Sequence, residues 1–148
     1  MGKIEAINIT NISEENTFYV NQAILEKGKG IVNDRYYENF KEKKEQVTLI
    51  NLEDIDNFNK QIKQGIDAKD FRRNIIVSGI DLTKLINKKI KINKATLKIH
   101  EICQPCKYLQ DRLKIPSLVK MLVNRSGVRA EILSSGSLSV GDTIKILK

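Results

Sequence analysis

The stretch "KIKINKATLKIHEI", residues 89–102, puts an apolar side chain at alternate positions: Ile90 and Ile92, then Ala95, Leu97 and Ile99. A period of two belongs to extended backbone with one buried face, and it rules out a helix here. Val128, Ala130 and Ile132 repeat the pattern, and Ile144 with Ile146 carries it past the turn "VGD". The runs "QVTLIN" and "RNIIVSG" are nearly continuous in apolar residues, which suits strands covered on both sides. At the N-terminus Ile4 and Ala6 share one parity while Ile7 and Ile9 share the other. A strand there needs a bulge or two covered faces.

Helices are few. Asn51 is placed to cap one, Asp54 lies in its first turn, and Leu52, Ile55, Phe58 and Ile62 recur at helical spacing until Gly65 loosens the end. "KYLQDRLKIPSLVKMLVN" predicts two short helical pieces parted at Pro116, because proline removes a backbone donor and restricts Ile115 before it. Many short strands with few interrupting helices predict a mainly β fold, a barrel or sandwich rather than a parallel βαβ sheet. With 148 residues the chain is long enough for one apolar core, so residues 1–148 are expected to form a single domain. "KEKKEQ" predicts a loop tip, and the Gly-bearing "KGKGIVNDRYYENF" a long loop of the kind that carries function.

No apolar run approaches the roughly 20 residues that span a bilayer, and "MGKIEAINIT" lacks the layout of a secretory signal. A cytoplasmic protein without a membrane partner is the expectation. Ala6 stands where an acylation signal wants Ser or Thr, which excludes that reading of "MGKIEA". The excess of 26 Lys and Arg over 18 Asp and Glu makes an anion a natural partner, although much of it is lysine on the outward positions of "LINKKIKINKATLK", consistent with a solvated face.

"HEICQPCKYL", residues 100–109, holds both cysteines and the only histidine. A tetrahedral zinc site needs four ligands, and no second cysteine pair accompanies Cys103 and Cys106. His100 has the strand parity of Thr96 and Lys98, on the wet face. A disulfide gains little in a reducing compartment over a three-residue spacing, and a redox pair lacks its βαβ setting. One working thiolate remains, at Cys106 where strand passes into helix beside Lys107, a position that favours the charged sulfur. Set against it, both cysteines as small buried hydrophobes is an equal alternative on local chemistry.

"DFRRNIIVSGIDL" sets Arg72, Arg73 and Asn74 before a buried strand and Ser78 and Gly79 after it. Paired arginines can fork around phosphate, and an amide can donate beside them; a surface pairing with Asp70 or Asp67 is the plainer reading. Asp34 and Arg35 follow the flexible "GKGIVN", which lacks the ending of a P-loop.

In that order, "GKGIVNDR", "QVTLI", "FRRNIIVSGIDL", "QPCKYL" and "SGVRAEILSSGSLSVGDTI" resemble the MOSC domain, the C-terminal domain of molybdenum cofactor sulfurase, over nearly the whole chain. The resemblance implies a MOSC-type β-barrel with a few peripheral helices, and it matches the family's signature cysteine to Cys106, leaving Cys103 as an extra. It also implies molybdenum cofactor (molybdopterin, a phosphorylated pterin) as ligand, with Cys106 binding molybdenum or carrying sulfur as a persulfide. Asp34, Arg35, Arg72, Arg73, Asn74, Ser78, Gly79 and Arg125 are the expected cofactor-binding residues. The implied partners are a sulfur-donor enzyme, dependent on pyridoxal phosphate, or a molybdoenzyme. The implied activities are sulfurtransferase-like, or a molybdenum-dependent reduction of N-hydroxylated compounds with an external electron donor. The chain departs from the family at Glu45, where arginine is common, and at Arg129 and Glu131. A basic barrel that grips nucleic acid, stacking bases on Tyr36, Tyr37 and Phe40, is the alternative. Nucleic acid is not the expected partner, because aromatics are 5% of the chain and Trp is absent.

Overall fold

The computed structural model describes residues 2–12 and 16–147. Eleven strands are present: β1 (Gly2–Ile9), β2 (Phe18–Val20), β3 (Gln22–Glu26), β4 (Gly30–Ile31), β5 (Val47–Asn51), β6 (Ile75–Ser78), β7 (Lys89–Ile92), β8 (Ala95–Ile102), β9 (Val128–Ser134), β10 (Gly136–Ser139) and β11 (Thr143–Leu147). Among the described residues three α-helices accompany them, α1 (Leu52–Ile62), α2 (Lys107–Leu113) and α3 (Leu118–Met121), with short 3-10 turns at Lys43–Glu45, Ala68–Phe71 and Leu82–Leu85. The main sheet runs β11-β7-β8-β9-β5-β6-β1-β2, and pairing of β11 with β1 closes its first seven strands into a barrel. A second sheet of order β10-β3-β4 stands beside it.

Side-chain alternation explains the barrel interior. Ile90 and Ile92 of β7, Leu97 and Ile99 of β8, and Val128, Ala130 and Ile132 of β9 all belong to one buried cluster. The change of parity in β1 resolves as a bulge: its register against β6 shifts between Ile4 and Ala6, so Ile4 and Ile7 both reach the core. β5 and β6 are the parallel pair, and both their faces are covered. Leu49, Ile75 and Val77 face the barrel interior, while Ile50 and Ile76 join a second cluster with Phe58, Phe71, Leu109 and Leu118. The helices therefore pack on the outside of the β5–β6 wall, where Phe58 and Phe71 meet edge to face at 5.7 Å.

Local chemistry sets the helix ends. Asn51 occupies the N-cap position of α1, but its side chain does not cap: Oδ1 accepts from the Leu82 N–H at 3.1 Å and Nδ2 donates to Glu53 and the Ile80 carbonyl. The helix stops at Lys63, which takes the left-handed conformation (φ 56°), two residues ahead of the expected Gly65. Pro116 separates α2 from α3 as its missing donor requires.

The small sheet was not expected from the sequence. β4 is the two-residue core of the long "KGKGIVNDRYYENF" segment, which is thereby stitched to β3 through Leu25–Ile31 and Glu26–Gly30 pairs. This fastening delivers Asp34 and Arg35 to the barrel.

Candidate functional site

Three chain segments meet around a cavity of about 250 Å³ lined by Arg35, Tyr36, Phe71, Arg72, Arg73, Cys106, Tyr108 and Leu109. Arg35 and Tyr36 come from the loop after β4, Phe71 to Arg73 from the turn that feeds β6, and Cys106 from the link between β8 and α2. Cys106, Arg35, Arg72 and Arg73, singled out in sequence for separate reasons, thus share one site.

The arginines are held, not loose. Arg35 is 7% exposed; its Nη2 donates to the Arg72 carbonyl at 2.9 Å and its guanidinium lies 4.5 Å over the Tyr36 ring. Arg35 Nη1 lies 3.5 Å from Asp34 Oδ1, yet it is buried with no hydrogen-bond partner among the described residues. Arg72 sits in the left-handed region (φ 62°), which directs its carbonyl to Arg35. Burial, with the Arg35 guanidinium close by, pushes the Arg72 pKa below its ordinary value. Arg73 Nε donates to the Ser126 carbonyl at 2.7 Å. The site concentrates positive charge in a partly desolvated place, with a single buried carboxylate, Asp34, against Arg35.

The two thiols occupy different environments. Cys103 is buried and Cys106 is exposed at the cavity. Cys106 takes the N-cap position of α2 without a side-chain capping bond. The segment carrying it is pinned to the loop before β9: the Cys103 N–H donates to the Gly127 carbonyl at 2.8 Å, Ser126 Oγ donates to the Cys103 carbonyl, and Gln104 and Asn124 bond reciprocally. Ser126, 1% exposed, therefore joins the cysteine segment to Arg73. Its sequence neighbourhood gave no sign of this role, because the link exists only once β8 and β9 pair.

The other expected ligands lie elsewhere. Asp34 is at the site's rim as a structural acceptor: Oδ1 takes the Thr10 N–H at 3.2 Å and Oδ2 the Tyr36 N–H at 3.4 Å. Asn74 is fully buried between strands, its Oδ1 accepting from the Thr48 N–H at 3.0 Å and from Thr48 Oγ1 at 3.1 Å, its Nδ2 donating to the Asn8 carbonyl. Ser78 Oγ donates to Glu5, and the Gly79 N–H to Glu53, at the far end of β6. Arg125 pairs with Asp54 at 3.8 Å and Asp81 at 3.5 Å around a separate hollow that also contains Gly79. His100 Nε2 lies 2.9 Å from Glu131 Oε1 on the barrel exterior. Among the described residues no three His, Cys, Asp or Glu side chains group closely enough to hold a metal, and no helix is long and apolar enough to cross a membrane. Lys44 and Glu45 form part of a 3-10 turn (Lys43–Glu45) against β8 and β9; Lys44 pairs with Glu42 at 3.2 Å and Glu101 at 3.3 Å, and Glu101 also takes Arg129 at 3.1 Å.

A closed seven-stranded barrel with helices on one wall, and a cysteine set among arginines where three loops converge, defines a small β-barrel protein with a cationic, thiol-bearing cavity. The MOSC domain model matches residues 36–145, and the chain belongs to the MOSC domain family. That family is associated with the molybdenum cofactor. The fold is shared with YuaD from Bacillus subtilis (19% identity, TM-score 0.84, covering 99% of this chain and 96% of that one). It is shared also with YiiM from Geobacillus stearothermophilus (16%, TM-score 0.81, covering 100% and 76%) and YiiM from Escherichia coli (11%, TM-score 0.74, covering 99% and 70%). No curated protein matches the sequence.

Proposed function

We propose that this chain handles molybdenum cofactor by gripping its phosphate on Arg35, Arg72 and Arg73 and presenting Cys106 as a thiolate, either to ligate the metal or to carry sulfur to it. The observation that supports this reading is the buried Arg35 Nη1, which faces Asp34 at 3.5 Å as an ion pair but has no hydrogen-bond partner among the described residues, at a cavity that Cys106 also lines. Leaving such a donor unsatisfied costs about 1–3 kcal/mol, which an incoming oxyanion returns. The chemistry of the donor set fits: guanidinium forks match phosphate, and a thiolate is the soft ligand a transition metal takes. A cavity of about 250 Å³ would take the phosphorylated end of such a ligand. When bound, the cofactor supplies a redox-active metal; the chain supplies the grip, the sulfur and a wall of Tyr36, Phe71 and Leu109 that limits water.

As a sulfur carrier, the Cys106 thiolate attacks the outer sulfur of a donor enzyme's persulfide. A new sulfur–sulfur bond forms at Cys106, the donor's bond breaks, and the donor thiolate leaves with the electron pair. Exposure of Cys106 and burial of Cys103 favour the former for this step.

The test is molybdenum content and intact mass of protein purified from a host that makes the cofactor. Molybdenum, or one added sulfur on Cys106, is expected; both are expected to vanish in Cys106→Ser and to persist in Cys103→Ser. Arg72→Gln should lower molybdenum retention while leaving sulfur loading in place. Equal loss in both cysteine variants would overturn the assignment to Cys106, and stoichiometric zinc would overturn the cofactor reading.

A further inference from the structure

The chain's positive charge is not spread evenly over the barrel. On β7, Lys89 and Lys91 point outward between the buried Ile90 and Ile92. The registers set Lys89 opposite Lys98 of β8 and Lys91 opposite Lys145 of β11. Like charges directly across a ladder repel and destabilise the pair, so this arrangement is not explained by folding. Nor does it protect an exposed sheet edge, the usual service of strand lysines, because β7 is paired on both sides. None of Lys89, Lys91, Lys98 and Lys145 takes part in an ion pair among the described residues. Glu131, the carboxylate opposite Lys98 on β9, is engaged by His100.

This wall lies across the barrel from the β5–β6 wall that the helices cover; the outward lysines of β7 and β11 are exposed and Lys98 of β8 is half-buried. Strand geometry makes the four-lysine array roughly 7 Å along β7 and 10 Å across three strands. The surface carries lysines as point charges and borders a hollow lined by Lys89, Ile146 and Leu147.

We propose that the β8-β7-β11 wall is a docking surface for the phosphate backbone of a nucleic-acid duplex, read without regard to sequence. Roughly 10 Å of duplex axis presents about six phosphates, enough to engage all four ammonium groups and turn their mutual repulsion into attraction. A duplex is favoured over a single strand because the array contains no aromatic side chain on which bases would stack. It is favoured over an acidic protein because stable protein interfaces are depleted in lysine. Tyr36, the aromatic that the sequence offered for stacking, is instead covered by Arg35 at the cavity. The proposal is independent of Cys106 and of any cofactor.

The test is fluorescence anisotropy of a labelled mixed-sequence duplex titrated with the full chain across a salt series. Four phosphate contacts give a slope of log K against log salt of about −3 to −4, a loss near a hundredfold between about 50 and 200 mM. The Lys89→Gln, Lys91→Gln double variant should reduce that slope by about 2, leaving a loss of about tenfold over the same range. Its melting temperature should stay level or rise, since the replacement removes like-charge pairs. Lys41→Gln with Lys60→Gln, a charge-matched pair on other surfaces, should bind as the parent does. Equal weakening by both double variants, no duplex binding at low salt, or binding to anionic phospholipid vesicles in place of duplex would overturn the proposal.

Discussion

Replacing Asn74 by alanine separates a structural from a ligand-binding role for this residue. The side chain is fully buried and makes three hydrogen bonds: from the Thr48 N–H, from Thr48 Oγ1, and to the Asn8 carbonyl. These tie β5 and β1 at the point where the chain enters β6, immediately after the two site arginines. Truncation strands a backbone N–H and a carbonyl in the wall and removes one further bond. At about 1–1.5 kcal/mol per lost bond, with the surplus penalty of two orphaned buried groups, the loss sums to about 3–5 kcal/mol. For a domain of this size that lowers the melting temperature by roughly 10–15 °C, out of a total stability of about 5–15 kcal/mol. Thermal melting followed by circular dichroism measures it, with phosphate affinity of the folded variant measured by calorimetry at low temperature. A drop below about 1 kcal/mol together with lost phosphate binding would refute the structural assignment and return Asn74 to the ligand set.

Three further outcomes are expected. Gly127→Ala should cost at least about 3 kcal/mol in denaturant unfolding, because φ is +105° and a Cβ would stand 2.3 Å from the Leu49 carbonyl oxygen. Phe71→Ala should cost about 3–5 kcal/mol by the same measurement, since the ring is 1% exposed against Phe58, and it should widen the cavity beside the arginines. Burial and the hydrogen bond to Asp67 push the Tyr19 hydroxyl up to about 12, above its ordinary value near 10. A raised folded value makes this contribution complete below about pH 10 and lost as pH climbs toward 12, so Tyr19→Phe should flatten the alkaline decline in melting temperature.

Much of the barrel was legible because strand parity is a geometric constraint. The switch between Ile4 and Ile7 called for a bulge or two covered faces and the bulge is what formed, the unbroken "NIIV" announced a strand covered twice, and Pro116 announced the break between α2 and α3. β2, β3 and β10 escaped because they are short and offer few inward positions: Leu138 is the only fully buried side chain of β10, and Phe18 and Tyr19 of β2 are exposed. Charge and sulfur chemistry raised Cys106, Arg72 and Arg73 as candidates and the family resemblance added Arg35, whereas Phe71, Tyr108 and Leu109 close the cavity they share only through contacts between distant segments. Ser78 and Gly79 were grouped with the arginines by nearness in sequence. β6 rises about 13 Å over four residues, so its two ends serve opposite mouths of the barrel. Arg125 was misplaced similarly: Ser126 turns its carbonyl toward Arg73, but the neighbouring guanidinium goes to Asp54 and Asp81.

Closure of the main sheet has a bearing on how the protein behaves when crowded. The rims left open among the described residues belong to β2, β4 and β10, which run three, two and four residues, and to the end of β11 beyond its pairing with β1. Rows that brief offer a foreign chain few backbone groups to copy, so growth of fibrils from the native state lacks a template. Aggregation should instead track the fraction of molecules in which the β11–β1 seam has come undone, and stabilising that seam should extend shelf life more than altering surface charge.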